Sequence, residues 1–125
     1  LKQFQEENDL TVLAISSMSR TGYFEEIALS HAKETGSLEY TCDVVIGLQL
    51  CAKHDYLKVV NQIPKKMTEA ERKAHIANAK AASPRKIELV YLKDRGGSIG
   101  NVAYFDYYSA YDTFVATDMN GNPLV

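Results

Sequence analysis

Two short, unbroken apolar runs constrain what this chain can fold into more than any other feature. Thr11-Val-Leu-Ala-Ile-Ser16 and Asp43-Val-Val-Ile-Gly-Leu-Gln-Leu50 are rich in branched residues and lack the in-and-out alternation of a strand with one wet face. Runs of this kind belong to strands covered on both sides, as in a parallel sheet flanked by helices. Ser16-Ser-Met-Ser-Arg-Thr-Gly22 then reads as a polar loop leaving the carboxyl end of the first strand, where open α/β sheets place their ligands. Ahead of it, Leu1 to Asn8 read as the end of a helix broken at Asn8-Asp9.

Between Leu50 and Lys86 the pattern changes. A loop is expected as far as Lys66, followed by Thr68-Glu-Ala-Glu71, a capping box in which Thr68 accepts from the amide of Glu71 while Glu71 reaches back. The helix it opens carries Met67, Ala70, Ala74, Ala77 and Ala81 at spacings of three and four, a narrow and mostly alanine stripe. Ser83-Pro84 ends it, because the residue before proline is disfavoured in the helical region. Residues 51–86 therefore read as an insertion with a basic helix. Beyond them, Lys86 to Lys93 and Asn101 to Tyr108 form two strands joined by the turn Asp94-Arg-Gly-Gly97, an antiparallel hairpin to which Thr113-Phe-Val-Ala116 can add a third strand.

With 125 residues the chain holds a single domain, and its 46% hydrophobic and 24% charged residues exclude disorder and collagen-like structure. No apolar run approaches the roughly 20 residues of a membrane span, and no signal segment opens the chain. Cys42 and Cys51 sit in apolar surroundings and read as reduced thiols of a cytoplasmic protein. The first residue is Leu1, which implies that something upstream has been lost. The net charge of −2 hides an uneven layout. Leu1 to Tyr56 hold nine acids and four bases, whereas Lys65 to Lys86 hold seven bases and two acids. A basic patch in an acidic chain can steer phosphate backbones, and it can equally be a solvated helix face.

The order Val12-Leu-Ala-Ile-Ser-Ser-Met-Ser-Arg20, Ala32-Lys-Glu-Thr-Gly-Ser-Leu-Glu39 and Leu92-Lys-Asp-Arg-Gly-Gly97 with Gly100 resembles the DnaB-type replicative helicases over most of the chain. The resemblance implies the C-terminal part of a RecA-like P-loop NTPase fold: parallel strands followed by an antiparallel hairpin, with a helical insertion at 51–86. It implies that Ser17 stands where the family senses nucleotide, and that Lys33, Glu34 and Gly36 belong to the loop that holds single-stranded DNA. It further implies that Lys93 and Arg95 reach a neighbouring subunit's ATP, with Arg95 as the finger on the charge that develops in phosphoryl transfer.

None of the seven glycines is followed by lysine, so no P-loop lies in this chain. ATP and Mg2+ are expected only in a longer parent, a hexamer on single-stranded DNA. A metal set from His31, Cys42, Cys51 and His54 lacks close ligand spacing, and the Tyr104 to Tyr108 aromatics read as core packing more than as a base-stacking platform. The leading expectation is thus a C-terminal fragment of an ATP-dependent DNA helicase that does not hydrolyse ATP alone. The alternatives are a non-catalytic nucleic-acid or protein interaction module centred on the basic helix, or another RecA-like ATPase.

Overall fold

The computed structural model describes residues 2–18, 24–31, 41–97, 99–100 and 102–124. Its elements, in chain order, are α1 (Lys2–Asn8), β1 (Val44–Leu50), β2 (Leu57–Val60), β3 (Ile63–Lys66), α2 (Glu69–Ala81), β4 (Arg85–Asp94), β5 (Val102–Tyr108) and β6 (Thr113–Thr117). Short 3-10 turns cover Leu29–His31 and Cys51–His54. Strands β1, β4, β5 and β6 form one sheet in the order β1-β4-β5-β6, and β2 with β3 forms a separate two-stranded hairpin. Every pairing among these strands is antiparallel.

This arrangement corrects the expected parallel, RecA-like α/β core. Thr11 to Ser16 form no strand, and Leu13 and Ile15 are 92% and 97% exposed, so the branched run lacks the cover that a buried strand needs. β1 does form where the second run lies, but its neighbour β4 runs antiparallel to it, from Val44 opposite Asp94 to Leu50 opposite Ile87. Only half of β1 is covered. Gly47 and Gln49 are buried, while Ile46 and Leu48 on the opposite face are each 50% exposed.

The expected hairpin and its third strand are present. Glu88 lies opposite Tyr104, and Tyr104 opposite Thr117, across β4, β5 and β6. Because side chains alternate along each strand, Gln49, Glu88, Tyr104 and Thr117 form one row across one face of the sheet. The opposite face carries the apolar row Leu50, Ile87, Phe105 and Ala116. There the rings of Phe105 and Phe114 meet edge to face at 6.2 Å, and Tyr107 lies 4.6 Å from Phe114.

The capping box forms as the spacing predicts. Glu71 N donates to Thr68 Oγ1 at 3.2 Å, and Thr68 N donates to Glu71 Oε2 at 2.9 Å. The alanine stripe, however, stays largely at the surface, and Ile76 is the buried residue of α2. The segment expected as a loop before Lys66 instead contains the β2–β3 hairpin. Its two-residue turn, Asn61-Gln62, has φ of 52° and 64°, the mirror-image geometry whose twist matches that of the flanking strands.

Candidate functional site

The polar row on the covered face of the sheet is closed by a histidine. Glu88, 1% exposed, accepts from Gln49 Nε2 at 2.5 Å and pairs with His54 Nε2. His54 Nδ1 lies 3.2 Å from Glu26 Oε1, and the amide of Ile27 donates to Gln49 Oε1 at 2.7 Å. The 24–28 stretch is thereby tied to β1 and β4 through one imidazole and one carboxamide. Close packing reinforces the tie: a Cβ at Gly47 would sit 2.8 Å from Ile27 Cδ1, so a larger residue there would have to displace this stretch. Partial burial of the His54 ring opposes its protonation, but the carboxylates of Glu88 and Glu26 outweigh it and hold its pKa above the usual value.

This cluster has acid-base groups but no activated nucleophile. Burial, reinforced by the charge of Glu88, pushes the neighbouring Cys51 thiol up to about 11, so it stays protonated at neutral pH. A cavity of about 280 Å³ is lined by Cys51, Lys86, Tyr104, Thr117 and the 118–121 loop, and neither His54 nor Glu88 reaches it. Its one cation, Lys86, is already paired with Asp106 at 2.6 Å. What the contacts of this cluster show is a clasp that ties the 24–28 stretch to β1 and β4. Among the described residues no group of three or more His, Cys, Asp or Glu is placed to hold a metal.

Of the residues named from the resemblance, Ser17, Lys93 and Arg95 are described. Ser17 is exposed on an irregular stretch. Lys33, Glu34 and Gly36 lie outside the described residues. Lys93 sits opposite Val45 at the end of β4, and Arg95 follows in the turn, with its guanidinium 2.8 Å from Asp43 Oδ1 and its amide donating to Asp43 O at 3.0 Å. Lys2 approaches the same carboxylate at 3.6 Å, so Asp43 joins α1 to this turn. Within the turn, the amide of Gly96 donates to Asp94 Oδ1 at 3.1 Å.

The basic segment divides into engaged and unengaged cations. Lys73 pairs with Glu69 at 3.0 Å and lies over the Phe24 ring. Arg72 stacks on Tyr56 at 4.2 Å and donates to Lys53 O at 3.1 Å, and Lys58 pairs with Glu71. Lys65, Lys66 and Lys80 are exposed and have no carboxylate within ion-pair distance among the described residues. Two of these three stand on β3, beside exposed apolar side chains. Leu57, Val59 and Ile63 are 61%, 74% and 58% exposed.

The sequence reading placed the basic surface on the helix and missed the hairpin. The signal available was Leu57-Lys-Val-Val60 and Ile63-Pro-Lys-Lys66 flanking a two-residue polar gap. Comparison with protein-family models, with curated proteins and with solved structures finds no match for the chain. Among the described residues no helix is long and apolar enough to cross a membrane.

Proposed function

We propose that this chain is a non-catalytic interaction module whose β2–β3 hairpin and flanking α2 receive an acidic protein partner. One observation carries the reading: Lys65 and Lys66 have no carboxylate within ion-pair distance among the described residues and stand next to the exposed Leu57, Val59 and Ile63. Exposed apolar residues beside unpaired cations mark a contact surface, because neither is stabilised by the chain's own packing. The helicase-motor reading depends on a RecA-like core, and the sheet order β1-β4-β5-β6 gives it no support.

The test is affinity for an acidic probe measured against salt, using the full chain, a fluorescent polyglutamate peptide and an oligothymidine of similar charge. The peptide is expected to bind more tightly than the oligothymidine, and Lys65→Glu with Lys66→Glu should abolish its binding. Tighter oligothymidine binding with a steep salt slope would overturn the protein-partner reading in favour of nucleic acid. Peptide affinity indifferent to both substitutions would remove the hairpin from the surface altogether.

A further inference from the structure

We infer that the outer edge of β2 is the docking strand of this surface, and that its occupant is an extended peptide segment in which apolar and acidic residues alternate. The inference rests on the interaction-module reading and adds the mode of binding.

Hydrogen-bond parity in the hairpin identifies the open edge. Met67 N donates to Tyr56 O at 2.8 Å, which makes Tyr56 and Met67 a bonded pair one step beyond the ladder. Antiparallel pairs alternate between bonded and non-bonded. From that pair inward, Lys58 with Lys65 and Val60 with Ile63 are bonded, while Leu57 with Lys66 and Val59 with Pro64 turn their backbone groups outward.

Pro64 therefore stands where its missing N–H costs the ladder nothing and where it blunts the outer edge of β3. On the other side, the N–H and C=O groups of Leu57 and Val59 face outward with no described strand beside them. That edge carries no proline and no bulge. A two-stranded hairpin is marginal by itself, and a third strand on the open edge completes it.

The flanking side chains set what that strand carries. On one face its residues lie beside Leu57 and Val59, which calls for apolar groups. On the other they lie beside Lys58, which Glu71 already engages, with the unengaged Lys65 one strand spacing further, about 4.8 Å, and it is Lys65 that calls for a carboxylate. Glu71 is the only described partner of Lys58, and Lys65 has none. A second copy of β2 paired in the register centred on Lys58 would set that lysine against its own like charge. A nucleic acid has no alternating amide and carbonyl row to match the edge.

The probe is a fluorescein-labelled peptide of about ten residues, a long strand's length, alternating valine and glutamate. Two N-methylated forms accompany it, one blocking every valine amide and the other every glutamate amide, so that each blocks a different edge of the added strand. Anisotropy with the full chain should show binding of the parent peptide and of one methylated form, and a loss of about tenfold or more for the other.

Val59→Pro, which removes an outward N–H, should weaken the parent peptide similarly, with amide exchange at Met67 showing that the hairpin persists. Equal binding of both methylated forms, or no binding of the parent peptide, would overturn strand addition. If Lys65→Glu with Lys66→Glu still weakens polyglutamate in that case, the interaction surface stands without this mode of binding. If it does not, both readings fall.

Discussion

The four-stranded sheet and the β2–β3 hairpin use the same antiparallel pairing and put their polar groups to opposite ends. In the sheet, Glu88, Gln49 and Thr117 are turned inward, and Glu88 and Gln49 are closed over by His54 and the amide of Ile27. In the hairpin, Leu57, Val59, Lys65 and Lys66 are exposed, and neither lysine has a carboxylate partner among the described residues. Satisfied polar groups fix one arrangement of the core, while unsatisfied surface carries the capacity for contact.

The contrast can be broken at its strongest point first. Glu88→Ala leaves His54 and Gln49 without their acceptor and should cost about 3 kcal/mol in urea denaturation, at the low end for a buried pair because the imidazole is half-exposed. A change below about 0.5 kcal/mol would mean that the clasp does not hold the sheet. Ile76→Ala should cost about 2.5 kcal/mol, since it opens a cavity under the one buried residue of α2. Thr68→Ala should cost about 1 kcal/mol by removing the cap and fraying the start of the helix, read as lost helicity in circular dichroism.

A smaller effect follows from His54. Its folded pKa is raised, so its contribution to stability is fully present below about 6.5 and is lost as pH rises through the raised value. Chemical denaturation between pH 6 and pH 7.5, below the range where Cys51 begins to differ between folded and unfolded states, should show this decline. His54→Gln should flatten it, and an unchanged slope would locate the titration elsewhere. The smallest stability effect belongs to Lys65→Glu with Lys66→Glu, within about 0.5 kcal/mol. A larger loss there would show that these cations support the fold, and would blur the division between the two regions.

What the sequence made legible was local. The Thr68–Glu71 cap, the β4–β5 pairing and the strand at Thr113 each depend on residues close in the chain, and each forms. The parallel core failed because an unbroken apolar run does not reveal how many of its faces are covered. β1 has the composition of a doubly buried strand and leaves Ile46 and Leu48 half in water, since its polar face is the one that packs.

Glu88 was illegible for a related reason. Within Lys86-Ile-Glu-Leu it reads as an outward acid, and His54 and Gln49, 34 and 39 residues away, make an inward carboxylate tolerable. The β2–β3 hairpin escaped notice because Asn61-Gln62 adopts positive φ without the Asn-Gly pair that announces such turns. Lys93 ends β4 and Arg95 enters the turn that follows it, but the partner of Arg95, Asp43, comes from the residue just before β1, which no local pattern indicates.

Glu71 belongs to both the helix and the hairpin at once. Its carboxylate accepts from the Thr68 amide and pairs with Lys58 of β2, and Lys58 together with that amide keeps its pKa below the ordinary carboxylate range. The first turn of α2 and the β2–β3 ladder therefore open as one cooperative unit, and their amides should exchange with a common free energy distinct from that of the sheet. Stability of this unit is present above the ordinary glutamate pKa and falls as acid titrates Glu71. Protonating that carboxylate should loosen the contact surface from its support, read as faster amide exchange in β2 and β3 than in the four-stranded sheet as pH falls.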